Sequence, residues 1–206
     1  RTEKYEEESR NPDVEFGDTI EGDLSRRDFT VNSMALELTG TKPEFIDPFD
    51  GLGALGRRIL RTPASATQSF TDDPLRMMRA ARFASQLNFE IHDDVLSAMS
   101  SMASRISIIS AERVREEFTK LLMSAHPRVG ITILVDTGIA ELVLPEIPKL
   151  RLEIDEHHHH KDVYEHSITV LEQAIAQEER LGGPNLVIRL AALLHDIGKP
   201  KTRNLI

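Results

Sequence analysis

The pattern of apolar residues predicts an α+β fold, predominantly α-helical, and three observations carry that expectation. Residues 1–62 alternate short extended stretches with one helical run. From Asp72 to Leu144 the apolar residues recur at three- and four-residue spacing, the signature of successive amphipathic helices. Beyond the prolines Pro145 and Pro148, two further helical runs flank a Gly182-Gly183-Pro184 turn. The chain is 206 residues long with 40% hydrophobic side chains, enough to bury a core in one to two domains.

In chain order, extended segments are expected at Val14 to Phe16, Glu44 to Phe49 and Arg57 to Thr62, with a helix between them from about Phe29 to Leu38. Asp73 suits an N-cap and Pro74 a first helical position, so a helix should begin there. Breaks near Asn88, Ser104 to Ser110, His126-Pro127 and Gly138 divide the helical region. A helix from about Val163 to Arg180 and a second ending near Gly198 close the chain. Domain boundaries are expected at 1–62, 63–150 and 151–206.

No apolar run approaches the roughly 20 residues needed to cross a bilayer, so no membrane partner is expected and the cytoplasm is the expected location. The absence of cysteine excludes disulfides and thiolate metal sites. A net charge of −9 argues against a polyanionic partner, but its distribution is uneven: residues 1–50 carry −8, residues 51–130 carry +3 and residues 131–206 carry −4. A nucleic acid would meet the middle segment.

Two segments concentrate chemistry there and just before it. In DLSRRDFTVNSMA (Asp23 to Ala35), Arg26 and Arg27 offer planar donor forks beside the acceptor Asp28, a set suited to a triphosphate and a ribose hydroxyl. The alternative is a charged loop at a helix start. In TDDPLRMMRAARFA (Thr71 to Ala84), Asp73, Arg76, Arg79 and Arg82 follow at three-residue intervals while Leu75, Met78 and Phe83 can face a core. Cytosine and adenine both present an amine donor beside a ring-nitrogen acceptor, so a carboxylate and a guanidinium one turn apart can read either and reject guanine and uracil. An N-cap followed by ion pairs on a solvated face is the competing reading.

These motifs, followed by FIDPFDGLGALGRRILRT and by ISAERVREEFTKLL at Ile109 to Leu122, stand in the order and spacing of the class II tRNA nucleotidyltransferase (CCA-adding enzyme) and bacterial poly(A) polymerase family, which residues 1–144 resemble. The resemblance implies a partial nucleotidyltransferase head of mixed sheet and helices, then a helical neck and body. It implies addition of C and A to the tRNA 3′ end from CTP and ATP, with Mg²⁺ as cofactor. By the same resemblance, Arg26, Arg27 and Asp28 contact the nucleotide's phosphates and ribose, Asp73 and Arg76 pair with the base, and Arg79 and Arg82 are further nucleotide-binding arginines. Asp47, Asp50 and Gly51 fall in a flexible motif, and Glu112, Arg113 and Glu116 in one that braces the neck.

Two departures are mild: Asp72 stands where the family usually has Glu, and Ser33 interrupts an Asn-Ala-Met run at Asn32 to Met34. The family's metal-binding Asp-x-Asp is expected upstream of Arg1, so no catalytic residue is expected within these 206 residues and the chain alone is expected to be inactive. Asp13 with Glu15, and Glu153 with Asp155, have that spacing in the wrong context and read as surface charges.

The C-terminal segment carries a second pattern. His166 opens one helix and His195-Asp196 ends the next. The two helices run about 21 Å and 15 Å from those residues to their shared turn, so an antiparallel hairpin brings both histidines to one end. Two imidazoles and a carboxylate suit a divalent transition metal or a hydrated hard ion. The lone His followed by His-Asp resembles the start of the helical HD domain, whose final Asp would lie beyond Ile206. A helix-capping pair without metal is the alternative. His157 to His160 read as native sequence, His159 being the one of interest. Poly(A) polymerase, a CC-only or A-only adding enzyme, an HD-type phosphohydrolase and a non-catalytic tRNA-binding module are the rival readings.

Overall fold

The computed structural model describes residues 2–4, 13–15, 19–151 and 162–202. His159 and the Glu153/Asp155 pair lie outside the described residues, as do the side chains of Asp13 and Glu15. Strands among the described residues are short: β1 (Thr2–Lys4) pairs antiparallel with β2 (Asp13–Glu15), and β3 (Ala35–Glu37) pairs antiparallel with β4 (Glu44–Ile46). Before β3 lies α1 (Ile20–Ser25), capped by Thr19, whose Oγ1 accepts from the Gly22 N–H. After β4 comes α2 (Gly51–Arg57), then β5 (Ile59–Leu60).

The expected helix from Phe29 to Leu38 is corrected. A single 3₁₀ turn at Thr30–Asn32 gives way to β3, because Ala35 to Glu37 find a ladder partner in Glu44 to Ile46 that local periodicity does not reveal. Thr30 itself is pinned to the strand region by donating its N–H to the Arg61 carbonyl.

Helices dominate from Ala66 onward. α3 (Ala66–Asp72) leads into α4 (Leu75–Leu87), which ends at Asn88 in the left-handed conformation. β6 (Glu90–Ile91), which sequence reading did not anticipate, pairs parallel with β5 and stitches this region to the N-terminal one. α5 (Asp93–Met102), α6 (Ala111–Leu122) capped by Ser110, α7 (Pro127–Asp136) with Pro127 in its first turn, and α8 (Ala140–Val143) follow. The breaks near Asn88, Ser104 to Ser110, His126-Pro127 and Gly138 all appear as helix ends, Gly138 at φ +77°.

α4 is the central rod, packed mainly against α6 and α7. Ala80, Ala81 and Ala84 on its buried face let α7 approach so closely that a Cβ at Gly130 would collide with Ser85 Oγ and the Ala81 carbonyl. The Gly130 N–H donates to that same Ser85 hydroxyl at 2.8 Å.

The last hairpin is α9 (Val163–Ala176) and α10 (Leu186–Leu194), followed by α11 (Lys199–Thr202). α9 stops four residues short of Arg180 and gives way to a 3₁₀ turn. Buried Arg189 on α10 ties the hairpin to the rest. It forks onto Glu178 at 2.6 and 2.7 Å and donates to the carbonyls of Leu122, the last residue of α6, and Ser124, two residues beyond it. The Leu122 carbonyl is one of those that a helix C-terminus leaves unpaired.

Candidate functional site

Asp73 terminates α3 and opens α4, so the chain turns sharply at the Asp73-Pro74 pair and projects the next three arginines along one flank. A cleft of about 480 Å³ forms over that turn, lined by Arg26, Arg27, Asp28 and Asn32 from one side, by Asp73 at the turn and Arg76 and Arg79 from α4, and by Arg113 from α6. Residues separated by up to 87 positions, Arg26 to Arg113, thus share one basic concavity.

Most groups in it have a defined partner. Asp28 is buried: its Oδ1 accepts from the Phe29 N–H and the Asn32 amide at 3.1 Å, and its Oδ2 takes both Nε and Nη2 of Arg79. Asp73 uses Oδ1 to cap α4 at the Leu75 N–H, 3.0 Å, and Oδ2 to hold Arg113 at 3.2 Å. Arg76 donates to the Arg26 carbonyl at 2.6 Å and to Ser69 Oγ at 2.9 Å. Among the described residues, Arg27 reaches only Asp23, on the exposed rim, and Nη1 of Arg26 is shielded from solvent with no acceptor. A shielded cationic nitrogen of that kind calls for an anion.

Arg82, anticipated with the other arginines, is set apart from the cleft lining. It pairs with buried Glu117 at 2.7 Å and lies over the Phe83 ring at 4.3 Å. Burial lowers its pKa, opposed by the charge of Glu117. Glu117 also faces Arg79 at 3.9 Å and Lys120 at 3.6 Å, so one buried carboxylate braces two arginines. Sequence reasoning missed it and singled out Glu116, which is exposed and meets Lys120. A glutamate at i+4 from Arg113 on the inner face of an amphipathic helix is the signal that was available. Glu112 is exposed on the first turn of α6, and Arg113 enters the cleft.

The Asp47, Asp50 and Gly51 motif forms the entrance to α2. Asp47 accepts from the N–H groups of Gly51 and Leu52 at 2.6 and 2.9 Å, satisfying two helix-start donors. Asp50 sits at φ 55° and pairs with Arg57, which holds its carboxyl below the usual range. Gly51 packs so tightly on the Thr30 carbonyl and the Met34 side chain that a Cβ would clash.

At the open end of the α9–α10 hairpin, His166, His195 and Asp196 gather with ligand atoms within 4.8 Å of one another. The two Nε2 atoms are 3.3 Å apart, and Asp196 Oδ2 is 3.2 Å from His195 and 3.8 Å from His166. His195 Nδ1 lies 2.8 Å from the Ala192 carbonyl, which favours the tautomer that leaves Nε2 as a lone-pair donor. Lys199 Nζ meets Asp196 at 2.6 Å. Burial opposes ionisation of Asp196, but the Lys199 contact and the histidines hold its carboxyl below the usual range. The donor set fits a divalent metal ion.

Comparison with known proteins follows the same division. The Poly A polymerase head domain family matches residues 1–61, the probable RNA and SrmB-binding site of polymerase A matches residues 88–150, and the HD domain matches residues 163–205. The chain is 38% identical over 196 residues to the "Multifunctional CCA protein" of Azoarcus sp. strain BH72, covering 93% of this chain and 44% of that protein. It is 44% identical over 140 residues to the "CCA-adding enzyme" of Lactiplantibacillus plantarum, covering 68% of this chain and 34% of that one. Among solved structures, a CCA-adding enzyme in apo form II superposes with a TM-score of 0.72 at 25% identity, covering all of this chain and 48% of that one. The Bacillus stearothermophilus CCA-adding enzyme in complex with CTP gives 0.62 at 33% identity, covering 86% and 44%. The chain spans less than half the length of each of these relatives. With head, RNA-binding and HD matches following one another along the chain, relatives 38–44% identical to it, and a fold shared across all of it, the chain belongs to the class II tRNA nucleotidyltransferase and poly(A) polymerase family.

Proposed function

We propose that this protein, at the length of its relatives, adds C and A to the 3′ end of tRNA from CTP and ATP, with the base chosen by protein side chains. The observation that carries the reading is the convergence of Asp73 and Arg76 with Arg26, Arg27, Asp28 and Arg79 around one cleft. Arg26 and Arg27 are the donors for the triphosphate, and Asp28 is the acceptor for a ribose hydroxyl. Arg79, already forked onto Asp28, orients that carboxylate and turns its remaining face to phosphate. Asp73 accepts from the exocyclic amine and Arg76 donates to the ring nitrogen, a pairing that cytosine and adenine satisfy and uracil and guanine do not. Arg82 acts from behind, through Glu117. The positive middle segment is the proposed face for the tRNA acceptor end.

Magnesium is the metal assigned to phosphoryl transfer by family resemblance, where it would stabilise the developing charge on the phosphates. None of the cleft residues is proposed as its ligand. The test is incubation of the full-length protein with a tRNA lacking its terminal CCA, with CTP, ATP, UTP and GTP offered singly and together. Ordered addition of C, C and A supports the reading. Addition of A alone in long runs would assign it to poly(A) polymerase instead.

A second reading concerns the hairpin cluster. His166, His195 and Asp196 form a metal-dependent phosphohydrolase site, supported by the convergence of three ligand atoms and the restrained His195 tautomer. A divalent ion there would act as a Lewis acid on a phosphate ester. Hydrolysis of a cyclic or terminal phosphate by the full-length protein, lost in H195A, is its test.

A further inference from the structure

Ser69 touches both residues assigned to base reading, although it is only 3% exposed and cannot reach a nucleotide. Its carbonyl accepts from the backbone N–H of Asp73 at 3.2 Å, and its hydroxyl accepts from Nη1 of Arg76 at 2.9 Å. A second anchor, the Arg26 carbonyl, takes Nη2 of Arg76 at 2.6 Å. Guanidinium is planar and carries five N–H donors in a fixed fork. Nη1 also lies 3.4 Å from the Ser69 carbonyl, so both terminal nitrogens are engaged, the plane and direction are set, and Nε together with one Nη2 hydrogen is left for a partner in the cleft. Unrestrained, the same side chain would spread over many rotamers and offer its donors in no single direction.

We propose that Ser69 is a positioning residue for base selection: its hydroxyl fixes the guanidinium of Arg76 so that one defined edge meets the ring-nitrogen acceptor of C or A. The inference rests on the reading of Asp73 and Arg76 as the base-reading pair. The Ser69 hydroxyl acts through Arg76 alone. A substitution at Ser69 therefore shifts discrimination between bases, and that shift disappears when Arg76 is absent. Ser69→Ala is the suitable probe, since it removes one oxygen at a buried site, keeps the helix and leaves the carbonyl that holds the Asp73 N–H.

The experiment measures kcat/KM for CTP and UTP, with melting temperatures, for the full-length enzyme and its S69A, R76A and S69A/R76A variants on a tRNA awaiting C. S69A is expected to lower the CTP/UTP ratio by roughly tenfold, the order expected when a hydrogen bond to a charged group is lost. The double variant is expected to match R76A. A wild-type ratio in S69A beside a reduced ratio in R76A would overturn the role of Ser69 while leaving the base-reading pair intact. A further fall on adding S69A to R76A would overturn it too, since Ser69 would then act by another route. An unchanged ratio in R76A itself would remove the base-reading assignment and this inference with it.

Discussion

Nη2 of Arg113 stands 3.2 Å from Oδ2 of Asp73, forty residues away, so the carboxylate assigned to base reading is held by a cation from a different helix. The other oxygen of Asp73 caps α4. Both oxygens are therefore oriented before any nucleotide arrives, and a carboxylate retains lone-pair capacity for one more donor.

Removing Asp73 separates two roles. D73A in the full-length enzyme is expected to erode the CTP/UTP ratio of kcat/KM by about 10- to 150-fold, the worth of roughly 1.5–3 kcal/mol for a hydrogen bond to a charged group. It is also expected to lose about 1 kcal/mol of stability as a cap. A lowered melting temperature with an unchanged ratio would mean that Asp73 is a cap only. R113M, which leaves the cap in place, is expected to change the ratio in the same direction by less.

Glu117 holds the back of the cleft. E117Q removes the buried negative charge beside Arg82, and losing one partner of a buried ion pair costs about 3 kcal/mol. For a protein of this size that corresponds to a fall in Tm of roughly 6–12 °C, read by calorimetry. Only a small rise in KM for CTP is expected, because Arg79 keeps its fork on Asp28.

Arg189 ties the hairpin down through Glu178, and its hydrogen bond, against the opposing effect of burial, holds that carboxyl below the ordinary glutamate value of 4.5. A depressed folded-state pKa adds stability above the ordinary value, and that stability is lost as pH falls through the folded one. The stability difference between wild type and R189M is therefore expected to shrink between about pH 7 and about pH 3. Part of it remains, since the carbonyls of Leu122 and Ser124 also lose their donor. Denaturation at the two pH values checks this; an equal difference at both would contradict it.

His195 lies in the HD match, residues 163–205, and none of the cleft residues does. H195A is expected to abolish hydrolytic activity and reduce binding of Mn²⁺ or Ni²⁺ measured by titration calorimetry, while nucleotide addition stays near wild type. Loss of both activities in a folded variant would mean that the two sites are coupled.

At Gly51 a methyl group would collide with the Thr30 carbonyl and the Met34 side chain. G51A is expected to cost about 1–3 kcal/mol, the usual penalty for overpacking. A melting temperature equal to wild type would show that the entrance to α2 yields easily.

The sequence alone was enough for the order of the motifs, the helix start at Asp73-Pro74, the helix breaks at Asn88, Pro127 and Gly138, and the convergence of His166 with His195-Asp196. These are local features: φ preferences, capping chemistry and helix rise act within a few residues, so spacing suffices to read them. Only the tertiary structure decided that Ala35 to Glu37 are a strand, that Arg113 enters the cleft, that Arg82 turns to Glu117 and that Ser69 and the Arg26 carbonyl hold Arg76. A ladder partner, or the choice between a solvated and a paired guanidinium, depends on which surface another element presents. For these residues that surface is set by α4 packing against α6 and α7 and by the β5–β6 link, contacts whose partners lie tens of residues away.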